Sequence, residues 1–379
     1  MKKINFEKIP FLNELRTLSD YLTPVAVILL HLYASIVLLL YGNYTIPFLI
    51  KAELVCLAVL FVMQIHRMNK IWLWGVLLAN VIFVPLSTSR NPSGRLVIIY
   101  VGVLLALLVF KQIVVSRTVF LTAHLIPALT LTYFLAMGGD SHMYLDYYEV
   151  LGYQINPNLF GILGLACMMH WVCYFDMLRV KVGYRLLGQA LGVILGMYYI
   201  QHSECRSALI GAAVFVLLLL FRWKPFSNRV CQIVTIPVLA FMLWFPGAYV
   251  KLAETSEGGA VLGKLLFTGR QEIWATMIPI IKENLLFGVG TSQEVNMHHT
   301  LLELVLCLGI VPLISFLLLC GRPDRRSGDY TVSRGAQMAF LGCLFVGIFE
   351  TIFIIQYLYI FFLSFLLSAV EKETAGDGS

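Results

Sequence analysis

KLAETSEGGAVLGKLLFTGRQEIWATMIPIIKENLLFGVGTSQEVNMHHT, residues 251–300, is the stretch on which the reading of this chain turns. It holds TGRQEIW at 268–274, GVG at 288–290 and the pair His298-His299, and an apolar run follows at once. Almost everything on either side of it is apolar. A chain that keeps so long a polar segment between hydrophobic runs, with arginine and histidine near its ends, is holding a site at one surface.

The flanking composition sets the class. Hydrophobic residues make up 59% of the 379 and charged residues 13%, with a mean hydropathy of +0.84. Soluble domains have about 45–50% and about 25% respectively, so most positions of this chain cannot face water. The expectation is an all-α polytopic membrane protein in a lipid bilayer, which excludes a soluble enzyme on an anchor. The net charge of +6 does not point to nucleic acid, because the basic residues sit in short loops between apolar runs. The start, MKKINFEKIPFLNELR, lacks a short apolar core followed by a small-residue cleavage site, and no signal peptide is expected. The eight cysteines lie mostly inside the apolar runs, without CxxC or zinc spacing, and read as small buried residues.

A helix needs about 17–25 residues to cross a hydrocarbon core of ~30 Å. Twelve windows are counted, the fourth and eleventh of them short: 23–42, 46–65, 71–87, 96–110, 118–138, 158–175, 186–203, 206–222, 230–249, 300–320, 335–349 and 351–369. The chain is thus expected to be a single membrane domain, 1–379, with 251–300 as the loop between the ninth and tenth spans. Glu350 reads as marking only a tight turn between the last two, and Lys51 with Glu53 as a local pair near the end of the second. With the N-terminus cytoplasmic, the outer segments hold Lys51, Arg90, Arg95, Arg206, Lys251, Lys264, Arg270 and Lys282, while the other 19 of the 27 lysines and arginines fall inside. Inner loops carry the positive excess, so 251–300 is placed outside, as is the acidic, tyrosine-rich loop 139–157.

Three outer helix starts then carry the chemistry. Arg206, in HSECRSALIG, falls in the first turn of the eighth span, where unpaired N–H groups and the helix dipole favour an anion; Ser203 is the expected cap. Thr268-Gly269-Arg270-Gln271 fits a capping box, and the helix it opens sets Ile273, Trp274, Met277, Ile278 and Ile281 along one face, as a helix lying in the interface would. His298 and His299 precede the tenth span, and Glu303 follows His299 at i,i+4, where it would orient that imidazole. Gly288 and Gly290 read as a flexible turn back into the membrane. A metal site would need about three ligands at suitable spacing; the pair stands without a third, and no metal or cofactor is expected. Arginine forks bind phosphate oxygens bidentately and histidine accepts a hydroxyl proton near neutral pH, a set that suits a pyrophosphate in the headgroup plane with a sugar above it.

In this order and placement, SECRSALIG, TGRQEIW, GVG and HHTLLELVLCLGIV resemble the O-antigen ligase and O-antigen polymerase superfamily of bacterial membrane glycosyltransferases, over about residues 156–319. The resemblance implies transfer of glycan from an undecaprenyl-pyrophosphate-linked oligosaccharide to a glycan acceptor, on the outer face of the cytoplasmic (inner) membrane, without nucleotide sugar or required metal. It implies that Arg206 and Arg270 hold the pyrophosphate and that His298, eleven residues before Gly309, is the base. His299 then stands where the family has asparagine, which leaves the base open between the two histidines, with His299 and Glu303 as further substrate-binding candidates. A polysaccharide polymerase is the favoured reading, a ligase acting on lipid A core or another acceptor is the alternative, and a lipid-linked oligosaccharide flippase is the rival of a different class. A transporter would show internal repeats or charges near the membrane midplane.

Overall fold

A computed structural model describes residues 10–40, 46–65, 71–88, 94–138, 148–151, 153–221, 228–255, 260–261, 264–265, 270–290, 297–321, 330–353 and 358–372. The apolar windows become α1 (Pro10–Leu39), α2 (Ile46–Gln64), α3 (Ile71–Thr88), α4 (Gly94–Phe110), α5 (Arg117–Ala136), α6 (Pro157–Met177), α7 (Val182–Ser203), α8 (Arg206–Phe221) and α9 (Asn228–Thr255). After these come α10 (Arg270–Glu283), α11 (Thr300–Leu308), α12 (Ile310–Gly321), α13 (Arg334–Val346) and the short α14 (Tyr359–Leu363). Four segments among the described residues are long and apolar enough to cross a membrane: Thr17–Leu39, Arg117–Ala136, Pro157–Met177 and Ile233–Glu254. The protein is therefore an all-helical membrane protein. The strands among the described residues are three short antiparallel pairs: β1 (Tyr148–Val150) with β2 (Tyr153–Ile155), β3 (Ala260–Val261) with β4 (Lys264–Leu265), and β5 (Tyr330–Val332) with β6 (Ala369–Glu371).

α6 is the central helix, and glycine spacing explains how tightly α7 lies on it. Gly188, Gly192 and Gly196 recur every fourth residue along one face of α7. A Cβ on them would come within 2.4 Å of Phe175, 2.8 Å of Trp171 and 2.4 Å of Met168 respectively, all on α6. In a lipid-facing bundle small residues let backbones approach where no hydrophobic drive separates helix from lipid. Gly161 does the same at the other end of α6, where an added Cβ would sit 2.4 Å from both Ser203 Oγ and Cys205 Cβ. The bend between α7 and α8 is thus seated on α6.

The structure corrects the span list in two places. The tenth window is not one helix: it breaks at Gly309 (φ +84°) into α11 and α12. The segment after α10 fills the break. Val289 N–H donates to Leu306 C=O (2.7 Å), Gly290 N–H to Cys307 C=O (3.1 Å), and Ile310 N–H to Leu285 C=O (2.8 Å). These bonds satisfy backbone groups that a broken helix leaves open. Gly288 (φ +69°) and Gly309 both need the left-handed region, and a Cβ on either would lie within 2.7 Å of the facing backbone. The GVG segment is accordingly a fixed clamp on the helix break, not the flexible turn expected. The second correction concerns the last window, 351–369, whose described residues form only the five-residue α14, a 3₁₀ turn at Ser364–Leu366 and β6. Five helical residues span about 7.5 Å of a ~30 Å core. Phe361, Phe362 and Phe365 are fully buried, so this run is apolar because protein surrounds it. Hydropathy alone does not separate such a run from a lipid-facing one.

Contacts between helix ends fall into two sets. At one end Asp176 of α6 accepts from Ser333 Oγ and Gly335 N–H, Lys111 donates to the carbonyls of Leu319 and Cys320, and Val115 bonds to the β6 strand. The other set gathers the α7–α8 bend, the starts of α10 and α11, and the turn after α13. Alternating spans require these two groupings.

Candidate active site

The second set closes on one carboxylate. α13 ends at Val346, and the turn behind it is held by Glu350 N–H donating to Val346 C=O (2.9 Å). Thr300, the first residue of α11, fixes itself to that turn twice. Its N–H donates to Gly347 C=O (3.1 Å) and its hydroxyl to the Glu350 carbonyl (3.0 Å). The Glu350 side chain is thereby aimed among the other helix starts and is only 5% exposed. Arg270 Nη2 lies 2.5 Å from its Oε1, Ser207 Oγ donates to the same oxygen at 3.3 Å, and His298 Nδ1 lies 3.1 Å from Oε2. A carboxylate this buried persists only when paired and hydrogen-bonded. Arg270 and His298, 28 residues apart in sequence, thus share one counter-charge.

The two histidines have different environments. His298 holds φ +48°, a left-handed conformation that costs a residue with a Cβ of the order of 1 kcal/mol and concentrates at functional sites. Its side chain is 26% exposed. With its Nδ1–H donated to the Glu350 carboxylate, the ring's basic lone pair is on Nε2. His299 is fully buried and caps α11: its Nδ1 accepts from Leu302 N–H (3.2 Å), so its Nε2 carries the proton, donated to Met242 C=O (2.9 Å). Trp274 stands edge-on to the His299 ring at 5.8 Å and donates Nε1–H to Met297 C=O (2.7 Å), pinning the chain on either side of His298.

The expected His299–Glu303 pair is therefore corrected. A capping imidazole turns over the helix start toward Leu302 N–H and away from the i+4 position. Glu303 instead accepts from Met297 N–H (2.9 Å) and lies against the Cys307 thiol. Both side chains support the backbone around His298. Ser203 is a further correction. It accepts from Cys205 N–H (3.2 Å) and donates to Ile200 C=O (2.7 Å), stabilising the bend ahead of α8 without capping it.

Arg206 is the first residue of α8 and is half-buried. Its neighbour Ser207 joins this helix start to Glu350. α10 begins at Arg270 and buries Trp274 and Ile281, with Ile273, Met277 and Ile278 packed against the core, while Glu272, Lys282 and Glu283 are exposed. The expected apolar face is the one that docks on the bundle. The capping threonine, Thr268, lies outside the described residues. Among those described, no three His, Cys, Asp or Glu side chains are grouped to hold a metal.

Glu350, Ser207 and Trp274 are the site residues that motif reading passed over. For Glu350 a signal existed: it is an acid between two apolar windows, and such residues mark function more often than turns.

Burial as the cap holds the His299 imidazole down at about 4, from an ordinary 6.5. A folded-state value below the unfolded one makes the neutral ring a stabilising element above about pH 6.5, lost as pH falls toward 4. Each unit of that window removes about 1.4 kcal/mol. Thermal melts of the purified protein should drop steeply between pH 6.5 and 4, and the drop should be shallower in His299→Asn. Parallel pH curves for the two proteins would remove His299 as the cause.

No protein-family model matches this chain, and no curated protein matches it.

Proposed function

We propose that this protein is a membrane glycosyltransferase that joins lipid-linked repeat units into a surface polysaccharide, taking the donor glycan from undecaprenyl pyrophosphate. The observation that carries the reading is the pairing of Arg270 and His298 on the single carboxylate of Glu350. A phosphate-binding group and a proton acceptor are thereby set side by side. In the proposed reaction the acceptor hydroxyl gives its proton to His298 Nε2 as its oxygen bonds to the anomeric carbon. The bond from that carbon to the pyrophosphate oxygen breaks, and the electron pair leaves with the undecaprenyl pyrophosphate. Attack from the face opposite the leaving group inverts the anomeric centre. Arg206 and Arg270 neutralise the charge that develops on the leaving group, and His298 acts as general base. Such a mechanism needs no metal ion.

The reading includes the topology: a multi-pass chain in the cytoplasmic membrane, with the N-terminus inside and the loop 251–300 outside. A polymerase is the favoured form of this reading; a ligase would use the same site with another acceptor. Transport of the same lipid-linked glycan is a second reading with its own support. Glu53 is buried against Tyr359 while Lys51 is exposed, so the expected local pair is not formed. His124 and His170 also meet inside the bundle, Nδ1 to Nδ1 at 3.0 Å. Polar groups at such depth are a feature of transporters.

Purified protein in nanodiscs, given only an undecaprenyl-pyrophosphate-linked oligosaccharide, should release undecaprenyl pyrophosphate and extend the glycan, with chelator present. Extension only after lipid A core is added would make it a ligase. Absence of product under both conditions, with donor crossing the bilayer of proteoliposomes, would establish transport instead. Glu257→Cys should label with an impermeant thiol reagent on intact cells and Ser327→Cys should not. Both positions lie outside the described residues, and the reverse pattern would overturn the outward-facing site.

A further inference from the structure

Glu350 raises a problem for any anion that approaches this site. Arg270, the arginine assigned to the pyrophosphate, is already neutralised by a carboxylate at 2.5 Å and is 18% exposed. A phosphate can take that guanidinium only by displacing Glu350 or by sharing the arginine with it. Displacement alone would leave an uncompensated buried carboxylate, which is strongly unfavourable. Here the same carboxylate has a second partner in place, since its other oxygen faces His298 Nδ1 at 3.1 Å. Ser207 keeps Oε1 hydrogen-bonded through any such exchange.

From this geometry we infer that Glu350 is an exchange ligand: it holds Arg270 until the donor pyrophosphate claims it, and its released charge then supports His298 as that residue takes the acceptor proton. The inference rests on the function proposed above and says how its two halves are linked. Before donor binds, the charges of Arg270 and Glu350 cancel. Once pyrophosphate draws on Arg270, Glu350 has an unbalanced negative charge. That charge is best compensated when the hydroxyl proton arrives on His298 Nε2 and the ring becomes a cation. Binding of the donor therefore favours the step that consumes it. Without donor, Arg270 draws on the carboxylate and His298 is a poorer base, which protects the site against proton transfer with no donor present. The other charged and titratable groups at these helix starts include Glu204, Cys205 and Arg206 at the α7–α8 bend, Glu272 in the first turn of α10, and His299 and Glu303 at the start of α11. The scheme transfers no proton to or from any of them. Glu350 is thus a positioning residue, since it acts through its neighbours and touches no reacting atom.

The scheme makes binding and turnover move in opposite directions. Glu350→Gln removes the competitor for Arg270 and the counter-charge for His298 together. In phosphatidylcholine nanodiscs the full-length variant should bind undecaprenyl pyrophosphate about tenfold more tightly than wild type, by removal of a nearby like charge. Its kcat for transfer should fall about ten- to a hundredfold, through loss of the charge-assisted bond to the base. A residue that merely holds the fold would weaken both. Glu350→Asp keeps the charge and should bind the lipid no tighter than wild type, which serves as the test if the amide variant fails to fold. Wild-type binding with no tightening in Glu350→Gln, or tightening in Glu350→Asp, would overturn the exchange while leaving the donor assignment intact. If wild type does not bind undecaprenyl pyrophosphate at all, the proposed function fails and the exchange fails with it.

Discussion

His298→Ala is expected to lower glycan transfer by about 10²- to 10⁴-fold, the usual contribution of a positioned general base, while donor binding is retained. His299→Asn is expected to stay active. The two residues are adjacent, and the structure gives them opposite surroundings. His298 is a quarter exposed in a left-handed conformation, with Nδ1 on a carboxylate. His299 is buried, with both ring nitrogens engaged by the backbone of Leu302 and Met242. Asparagine is among the best helix caps, so it can replace His299 over α11. It would lose the bond to Met242 and the contact with Trp274, at a cost of about 1 kcal/mol in stability. Transfer assays on both purified variants, with thermal melts alongside, check this. An inactive His299→Asn of normal stability, beside an active His298→Ala, would move the base by one residue.

Arg270→Lys and Arg206→Lys are expected to impair transfer by about 10- to 150-fold each, the equivalent of roughly 1.5–3 kcal/mol for a charge-assisted hydrogen bond expressed in the transition state. Lysine keeps the charge but is a point donor, where arginine offers a planar fork to phosphate oxygens. At Arg270 the lost fork also leaves the charge that develops on the departing pyrophosphate less well stabilised, so its loss should appear in kcat as well as in the donor KM. Arg206 belongs to the α8 start, whose link to Glu350 runs through Ser207; its loss should fall mainly on donor binding. Both measurements need only steady-state kinetics on protein quantified in the membrane. Full activity in both variants would reduce these arginines to anchors for lipid headgroups.

Much of the helix pattern follows from composition alone. Nine windows, from 23–42 to 230–249, correspond to α1 to α9, because a run of apolar residues long enough to cross a bilayer has to satisfy its backbone internally and only a helix does so within one segment. The face of α10 was legible for a related reason: Trp274 and Ile281 are spaced so that one side of a helix must be covered. Periodicity reports the local solvent of each turn, and in these segments the local solvent is decisive.

Where protein replaced lipid as the surroundings, sequence lost its hold. Residues 358–370 are as apolar as a span, yet they fold as a short helix, a 3₁₀ turn and the start of a strand inside the bundle, since hydropathy measures only exclusion from water. The break at Gly309 depends on backbone groups of residues 285–290 reaching it across the chain. The site divides along the same line. Arg206, Arg270 and His298 could be picked out as charged or titratable groups at helix starts, a local property. That Glu350 joins Arg270 to His298, and that His299 donates to the Met242 carbonyl, depend on distances between segments far apart in sequence. A carboxylate's partners are set by which helix ends the packing of α6, α8 and α13 brings within about 3 Å of one another, and no reading of one segment at a time contains that.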